Sequence, residues 1–352
     1  MSRTSRRVSI SYFLIHALVE IVCFALLYNH FPIRVAWIFA LLYDAVAFVP
    51  QGAIGLLLKK FRGVDFGTLG VILMYLGLCA YNTENPYFLA TGILSLALGN
   101  ACLHACGAVA TVLCGEGKLF PTALFVGGGS FGVITGQLVG RNHVSVWWLV
   151  GCLLIVEALV LCTNPAWNLS WAKDKSKPVP PCPKYELTKP ECSVGFVMLT
   201  AFAITAVRSF LGYAIPTGWR TEDWQAVLLF TMMGLGKAFG GYAADRFGAR
   251  ITGIVTTALA IPFLVCGNRC MVISVIGIFL FSMTMSLTYG MLLSVFFDQP
   301  GLNFGVTTLG LFFGTLPIFV FGTIEFVPGI VLIIVLSLLC CAGFYKTLAK
   351  RR

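Results

Sequence analysis

The sequence predicts an all-α polytopic membrane protein with twelve transmembrane helices in two six-helix halves. Three observations carry this reading. Of 352 residues, 58% are apolar and only 11% charged, with a mean hydropathy of +0.90, whereas soluble domains run at about 25% charged. The apolar residues gather into windows long enough for a bilayer core of about 30 Å, which takes about 20 helical residues. One long polar interruption divides those windows six and six. The 37 glycines, without the ten-residue alternation of an outer-membrane barrel, favour closely packed helices.

Span 1 covers 8–29. Arg3, Arg6 and Arg7 ahead of it imitate a secretory leader, but the apolar run is long enough to span and has no small-residue cleavage pattern, so it reads as a helix. Spans 2 to 6 follow at 34–58, 64–81, 87–114, 119–140 and 144–163. Segment 164–192 is rich in proline and lysine, cannot span, and reads as a cytoplasmic linker. Spans 7 to 12 fall at 193–217, 222–245, 249–267, 270–297, 301–323 and 327–346. The expected plan is an N-terminal half at 1–163, the linker at 164–192, and a C-terminal half at 193–352.

Charge sets the orientation. Of 24 Lys and Arg, 18 lie in the N-terminal tail, the loops after even-numbered spans and the C-terminal tail, 4 lie in the other loops at Arg34, Arg141, Arg220 and Arg269, and 2 lie within spans. The positive-inside rule then places both termini and the linker in the cytoplasm. The net charge of +10 is spread in short runs between apolar segments, so it reads as topology and implies no nucleic-acid partner. The glycosylation pattern Asn168-Leu169-Ser170 falls on the cytoplasmic side and reads as chance. The compact loops and the absence of an organelle address favour a bacterial cytoplasmic membrane.

The 13 cysteines are odd in number and mostly lie inside apolar runs, where they act as small hydrophobes. Cys266 and Cys270 bracket a short loop, a spacing too weak to predict pairing or a metal. No phosphate-binding glycine loop, Ser-His-Asp set or metal-ligand constellation stands out, so neither an enzyme, a cofactor nor a metal site is expected. The tryptophans 147, 148, 167 and 171 sit near span ends, where aromatic belts form.

The halves resemble each other. The run from Ala40 aligns without a gap on the run from Ala226 at an offset of 186, placing Gly55 on Gly241 and Phe61 on Phe247. Gly128 and Gly132 of span 5 match Gly310 and Gly314 of span 11. Parallel six-helix repeats are an arrangement in which a binding site lies between the halves near the midplane.

After span 8 the chain reads Gly241-Tyr242-Ala243-Ala244-Asp245-Arg246-Phe247-Gly248-Ala249-Arg250. This resembles the loop signature of the major facilitator superfamily, GxxxDRxGRR, with one departure at Ala249. Its physical sense is that a small residue admits a close helix, the aspartate caps a neighbouring helix N-terminus, and the arginines engage carboxylates. The first-half copy has decayed to Gly55-Leu56-Leu57-Leu58-Lys59-Lys60-Phe61-Arg62, with lysine where the acid belongs. Span 4 lacks the arginine that proton-coupled members often carry there, reading Asn100-Ala101-Cys102-Leu103-His104-Ala105-Cys106-Gly107. The four-residue glycine spacing at 128, 132, 136 and 140 reads as close packing and not as the antiporter signature of that helix. The resemblance implies a monomeric secondary transporter that moves a small-molecule substrate across the bilayer by alternating access.

Charged groups at a helix centre cost about 2.5 to 3.5 kcal/mol each and call for an explanation. Glu20, Asp44 and Glu157 are the acids near span midpoints, and Arg208 and Lys237 the bases. His16 lies one turn before Glu20, and Asn100 one turn before His104. Glu20 with His16 is the candidate proton carrier. Arg208 and Lys237 favour an organic anion or zwitterion, by the bidentate chemistry of arginine and the point charge of lysine. Asp44 shares a face with Gln51 and fits either the cavity or a structural pairing, while Glu157 on span 6 is expected to have a buried structural partner. Two other readings fit the same residues: efflux of hydrophobic or cationic compounds attracted by Glu20 and Asp44, and a non-transporting scaffold or enzyme on the same fold.

Overall fold

The computed structural model describes residues 1–30, 36–61, 64–167, 182–322 and 326–350. Among these residues fourteen α-helices follow in order: α1 (Arg3–His30), α2 (Ala36–Phe48), α3 (Gln51–Lys60), α4 (Phe66–Leu78), α5 (Pro86–Cys114), α6 (Phe120–Arg141), α7 (Val146–Trp167), α8 (Val194–Ala214), α9 (Asp223–Phe247), α10 (Ala249–Cys266), α11 (Met271–Ser282), α12 (Met285–Val295), α13 (Pro300–Phe321) and α14 (Phe326–Thr347). Arg34, Arg62, the 168–170 glycosylation pattern, Trp171 and most of the lysine-rich linker lie outside the described residues. Among those described, 11 segments are long and apolar enough to cross a bilayer, with α2 and α3 together forming one and α11 and α12 another. The remaining apolar segment, α4, has 13 helical residues and is prolonged by tighter turns through Tyr81. The chain is an integral, multi-pass, all-α membrane protein.

Local chemistry accounts for the ends. Asp65 caps α4 through Gly67 and Thr68, and Asn85 caps α5 ahead of Pro86 at its first turn. Glu222 and Gln225 form a reciprocal capping box on α9. Two expected spans are broken near their middles. Pro50, which has no amide hydrogen to donate, separates α2 from α3, and Met283 with Thr284 separates α11 from α12. Irregular backbone at such depth is tolerated where protein or a cavity covers it. Here Gly240 of α9 abuts the Met283 carbonyl, while Thr308 of α13 donates to the Phe48 carbonyl at 3.1 Å.

Two glycine-rich helices organise the bundle. Gly128, Gly132, Gly136 and Gly140 of α6 rest against the carbonyls of Phe13, Ala17, Ile21 and Ala25 of α1. Both series advance by four residues, so the two helices run parallel in backbone contact. The other side of α6 meets α9 in antiparallel fashion, Gly127 against Gly234 and Ala123 against Gly241. The second glycine-rich helix repeats the arrangement: Gly310 and Gly314 of α13 lie on Phe202 and Ala206 of α8, and Gly301 and Gly305 meet Gly55 and Gly52 of α3. In a bilayer, where lipid tails are as apolar as leucine, such dispersion contacts between small residues drive helix association. Large apolar side chains such as Leu76, Leu154, Leu199 and Leu339 instead point outward, as lipid contact requires. The exposed Trp147 and Trp148 stand at the start of α7, where an aromatic belt would place them.

The described end of the linker, from Cys182 to Cys192, runs as an extended strap along the ends of α5, α12 and α14. Tyr185 is buried and donates to the Lys118 carbonyl at 3.4 Å; the Leu187 amide donates to Ser294 Oγ at 3.2 Å. A bridge joins Thr188 to Leu348. All 13 cysteines are free.

The glycine seam makes a direct prediction. A side chain at Gly132 would overlap the Ala17 carbonyl, whereas one at Gly151 meets nothing within 4 Å. Gly132→Leu should therefore destabilise the purified protein by about 1–3 kcal/mol or more, the cost of overpacking, and Gly151→Leu should leave thermal unfolding in detergent unchanged.

Candidate functional site

The seam between α6 and α1 sets the orientation of α1, and with it two polar residues one turn apart. His16 and Glu20 project from α1 toward α5, where Asn100 and His104 repeat the one-turn spacing. All four side chains are buried. His104 Nε2 lies 3.4 Å and His16 Nε2 3.8 Å from Glu20 Oε1. The two histidines meet at 2.7 Å between their Nε2 atoms, with ring centroids 4.1 Å apart and ring planes 80° to each other. Asn100 donates to Glu20 Oε1 at 3.1 Å, and Tyr43 of α2 donates to Glu20 Oε2 at 3.4 Å. Asn100 also donates to the Tyr43 oxygen. Each Glu20 oxygen thus accepts from an uncharged donor, which offsets part of the cost of holding a carboxylate in an apolar medium.

The carbonyls around the histidines fix their tautomers. His16 Nδ1 is 2.8 Å from the Phe125 carbonyl oxygen, and His104 Nδ1 is 3.0 Å from that of Asn100. A carbonyl oxygen can only accept, so both Nδ1 atoms carry hydrogen. In the neutral rings both Nε2 atoms then present lone pairs, and they present them to each other. At 2.7 Å that arrangement is repulsive unless a positively charged particle lies between the nitrogens.

The cluster opens onto a cavity of about 200 Å³. His16, Glu20 and His104 form one wall. The others come from α6 (Ser130 and Val133), α9 (Phe230, Met233 and Lys237), α12 (Met285, Ser286 and Tyr289) and α13 (Phe304, Thr307 and Thr308), with Phe48 at the end of α2. Lys237 is the lysine in this lining. Both interrupted spans border this space, through Phe48 and through Met285.

Other candidates from the sequence lie elsewhere. Arg208 does not line this cavity; its guanidinium stacks 4.2 Å from the centroid of Phe281 and donates to Thr284 at the break between α11 and α12. Among the described residues Arg208 Nε finds no acceptor. Asp44 is also outside the lining, and its chain neighbour Tyr43 is the residue that turns to Glu20. Gln51 donates back to the Ala47 carbonyl at 2.7 Å beside the proline break. Glu157 accepts from Tyr75 of α4 at 3.2 Å, remote from the cluster.

His16, Glu20 and His104, which the sequence alone does not mark as a metal-ligand set, converge closely enough that they could ligate one ion. The pair on α1 was legible from its spacing, but the third member stands 88 positions from His16 and is supplied by helix packing alone. Two contributors went unnoticed in the sequence, Tyr43 and Gly129. A Cβ at Gly129 would come within 2.7 Å of His16 Cε1, so this glycine makes room for the imidazole. Its signal was the unbroken Gly127-Gly128-Gly129 run, which exceeds what a four-residue packing stripe needs.

The loop motif is built as its chemistry suggests. Asp245 accepts from the Leu119 amide at 2.8 Å and the Phe120 amide at 2.9 Å, capping α6 from the end of α9. Gly241 lets that approach occur against Ala123. Gly248 takes φ of +93° between α9 and α10, a conformation open to glycine and strained for other residues. Arg250 stacks 4.2 Å from the ring centroid of Tyr345. At the corresponding place in the first half, Lys59 Nζ pairs with Asp298 Oδ2 at 3.1 Å, just before α13.

No family model and no curated protein matches the sequence. Solved structures do match. The E. coli fucose:proton symporter FucP, in a variant form, superposes with a TM-score of 0.63 at 14% identity over 96% of both chains. FucP in an outward conformation, described as a major facilitator superfamily transporter, gives 0.59 at 15% over 96% of both. A bacterial homologue of the iron transporter ferroportin, in an outward-facing state, gives 0.56 at 14% over 98% of this chain and 99% of that one. The chain has the major facilitator superfamily fold.

The cap by Asp245 is testable. Asp245→Ala leaves two amides at the start of α6 without their acceptor, at a cost of about 1–3 kcal/mol, and should lower the unfolding midpoint. Asp245→Asn, which keeps one side-chain oxygen, should recover part of the loss.

Proposed function

We propose that the protein is a secondary active transporter that moves a small solute through the central cavity by alternating access, coupled to protons. The observation that carries this reading is a buried His-Glu-His cluster opening onto a solute-sized cavity whose facing wall supplies Lys237. An ionisable cluster at membrane depth is costly, and those in membrane proteins mark substrate or proton pathways. The likeness to transporter structures supports transport in general. In this reading the halves 1–163 and 193–352 rock about the cavity, joined by the linker 164–192, with both termini in the cytoplasm and the monomer as the working unit. Glu20 and the histidine pair carry the proton. Lys237 meets the negative group of an organic anion or zwitterion, with Ser286, Thr307 and Thr308 at hand as hydroxyl partners. Arg208 acts from behind the cavity by fixing Thr284 and hence the start of α12. Asp44 contributes negative field beside the Tyr43–Glu20 bond.

A ligand panel tests the reading, because a solute that binds the folded state raises thermal stability by about 2.7 kcal/mol at one hundred times its Kd. Small anions, zwitterions and lipophilic cations are screened against wild type, Glu20→Gln and Lys237→Gln at two pH values. An anion or zwitterion shift that falls at least tenfold in affinity in Lys237→Gln is expected. In liposomes the same solute should accumulate under an imposed pH gradient with wild type, while Glu20→Gln retains exchange and loses gradient-driven accumulation. The lining also contains Phe48, Phe230, Met233, Met285 and Leu311, an apolar surface suited to lipophilic cations. A cation-only shift unaffected by Lys237→Gln would replace the anion assignment with efflux of such compounds.

A further inference from the structure

The geometry points to a binding site for one divalent transition-metal ion formed by His16 Nε2, His104 Nε2 and Glu20 Oε1. This deepens the transporter reading, on which any movement of the ion rests, whereas the binding itself stands on the geometry of the cluster. The three atoms are separated by 2.7, 3.4 and 3.8 Å. Ligands at about 2.0–2.2 Å from zinc in a tetrahedral site lie about 3.3–3.5 Å apart, so the His104–Glu20 edge is at the bound spacing, the His16–Glu20 edge closes by about 0.4 Å and the His16–His104 edge opens by about 0.7 Å. Both imidazoles are already set for ligation. Metal-bound histidines donate their other ring hydrogen to a carbonyl or carboxylate, which fixes tautomer and orientation, and the Phe125 and Asn100 carbonyls do this here. The carboxylate is held in turn by Asn100 and Tyr43.

Charge argues the same way. Two lone pairs and a carboxylate facing one point make a site for positive charge, and a metal ion satisfies all three atoms where a proton satisfies two. Two imidazoles with one carboxylate select the ions that take nitrogen donors, from Fe²⁺ through Co²⁺ and Ni²⁺ to Zn²⁺, and discriminate against Ca²⁺ and Mg²⁺, which take all-oxygen shells. All three residues line the cavity, leaving the remaining coordination positions turned to it, as in sites that exchange ligands. Lys237 shares the space, and a carboxylate-bearing solute there would touch both the ion and the ammonium.

The test uses full-length purified protein in detergent, titrated with Co²⁺ and Zn²⁺ by calorimetry, with Co²⁺ also followed by its visible absorption. One equivalent should bind to wild type, with at least tenfold weaker binding in His16→Gln and in His104→Gln, undiminished binding in Cys162→Ser, and no heat from Mg²⁺ or Ca²⁺. X-ray absorption of the Zn²⁺-loaded wild type should report imidazole nitrogen in the first shell, a readout that requires no variant to fold. Sulfur-dominated ligation, or full affinity in folded His16→Gln and His104→Gln, overturns the site. So does failure of wild type to bind either ion. Metal binding without solute movement in liposomes would sink the transport reading and leave this site standing, whereas pH-driven transport by a protein that binds no metal would do the reverse.

Discussion

Backbone contact between α6 and α1 is the constraint on which the rest of the molecule depends. Four glycines spaced by four residues place the two helix backbones against each other from Phe13 to Ala25. That seam leaves α1 no freedom to slide or rotate by a residue, because every alternative register sets a carbonyl against a side chain. With α1 fixed, His16 meets the Phe125 carbonyl and occupies the space left open at Gly129, and Glu20 turns to α5. The same α6 meets α9 along its other side through Gly127 and Ala123. One helix therefore sets both the wall that carries the acid and histidines and the wall that carries Lys237.

The cluster is costly to bury, and its own hydrogen bonds account for its persistence. A carboxylate in hydrocarbon needs its lone pairs engaged, and Asn100 and Tyr43 supply one donor to each Glu20 oxygen. The histidines are aligned by backbone carbonyls, which cannot rotate away as side chains can. The result is a cluster of aligned donor atoms, so a cation entering it would pay little to arrange them. The cavity beside it is otherwise largely apolar, and the low dielectric there strengthens whatever charge contacts form.

The span plan was legible because the bilayer imposes a length on every helix, and composition reports that length directly. What could not be read was breakage within a span: Pro50 was visible but gave no indication that α2 would end at Phe48, and the turn at Met283-Thr284 contains neither proline nor glycine. The site was half legible. His16 and Glu20, like Asn100 and His104, pair by helical spacing, but their meeting is a fact of packing between α1 and α5. Asp44 is the charged residue, and the uncharged Tyr43 beside it makes the contact, since a one-residue step on a helix turns the side chain by about 100°. Arg208 was marked by its charge alone. The cation stacking on Phe281 that holds it away from the cavity lining has no sequence signature.

The decayed first-half motif shows how a repeat can keep a contact while exchanging the charges that make it. In the second half an acid at the end of α9 caps the start of α6, where the helix dipole favours negative charge. Its counterpart, Lys59 at the end of α3, would by itself oppose the dipole at the start of α13. Asp298, one residue before the cap of α13, supplies the acid from the other helix and pairs with Lys59. The polarity at the α13 terminus is therefore preserved, with the acid moved across the interface. The two versions differ in strength for a physical reason. Asp245 binds two backbone amides and is partly buried, whereas the Lys59–Asp298 pair is exposed on both sides, where such pairs contribute about 0–1 kcal/mol. Opening of the α3–α13 end would then cost less than opening of the α6–α9 end, although glycine seams close both.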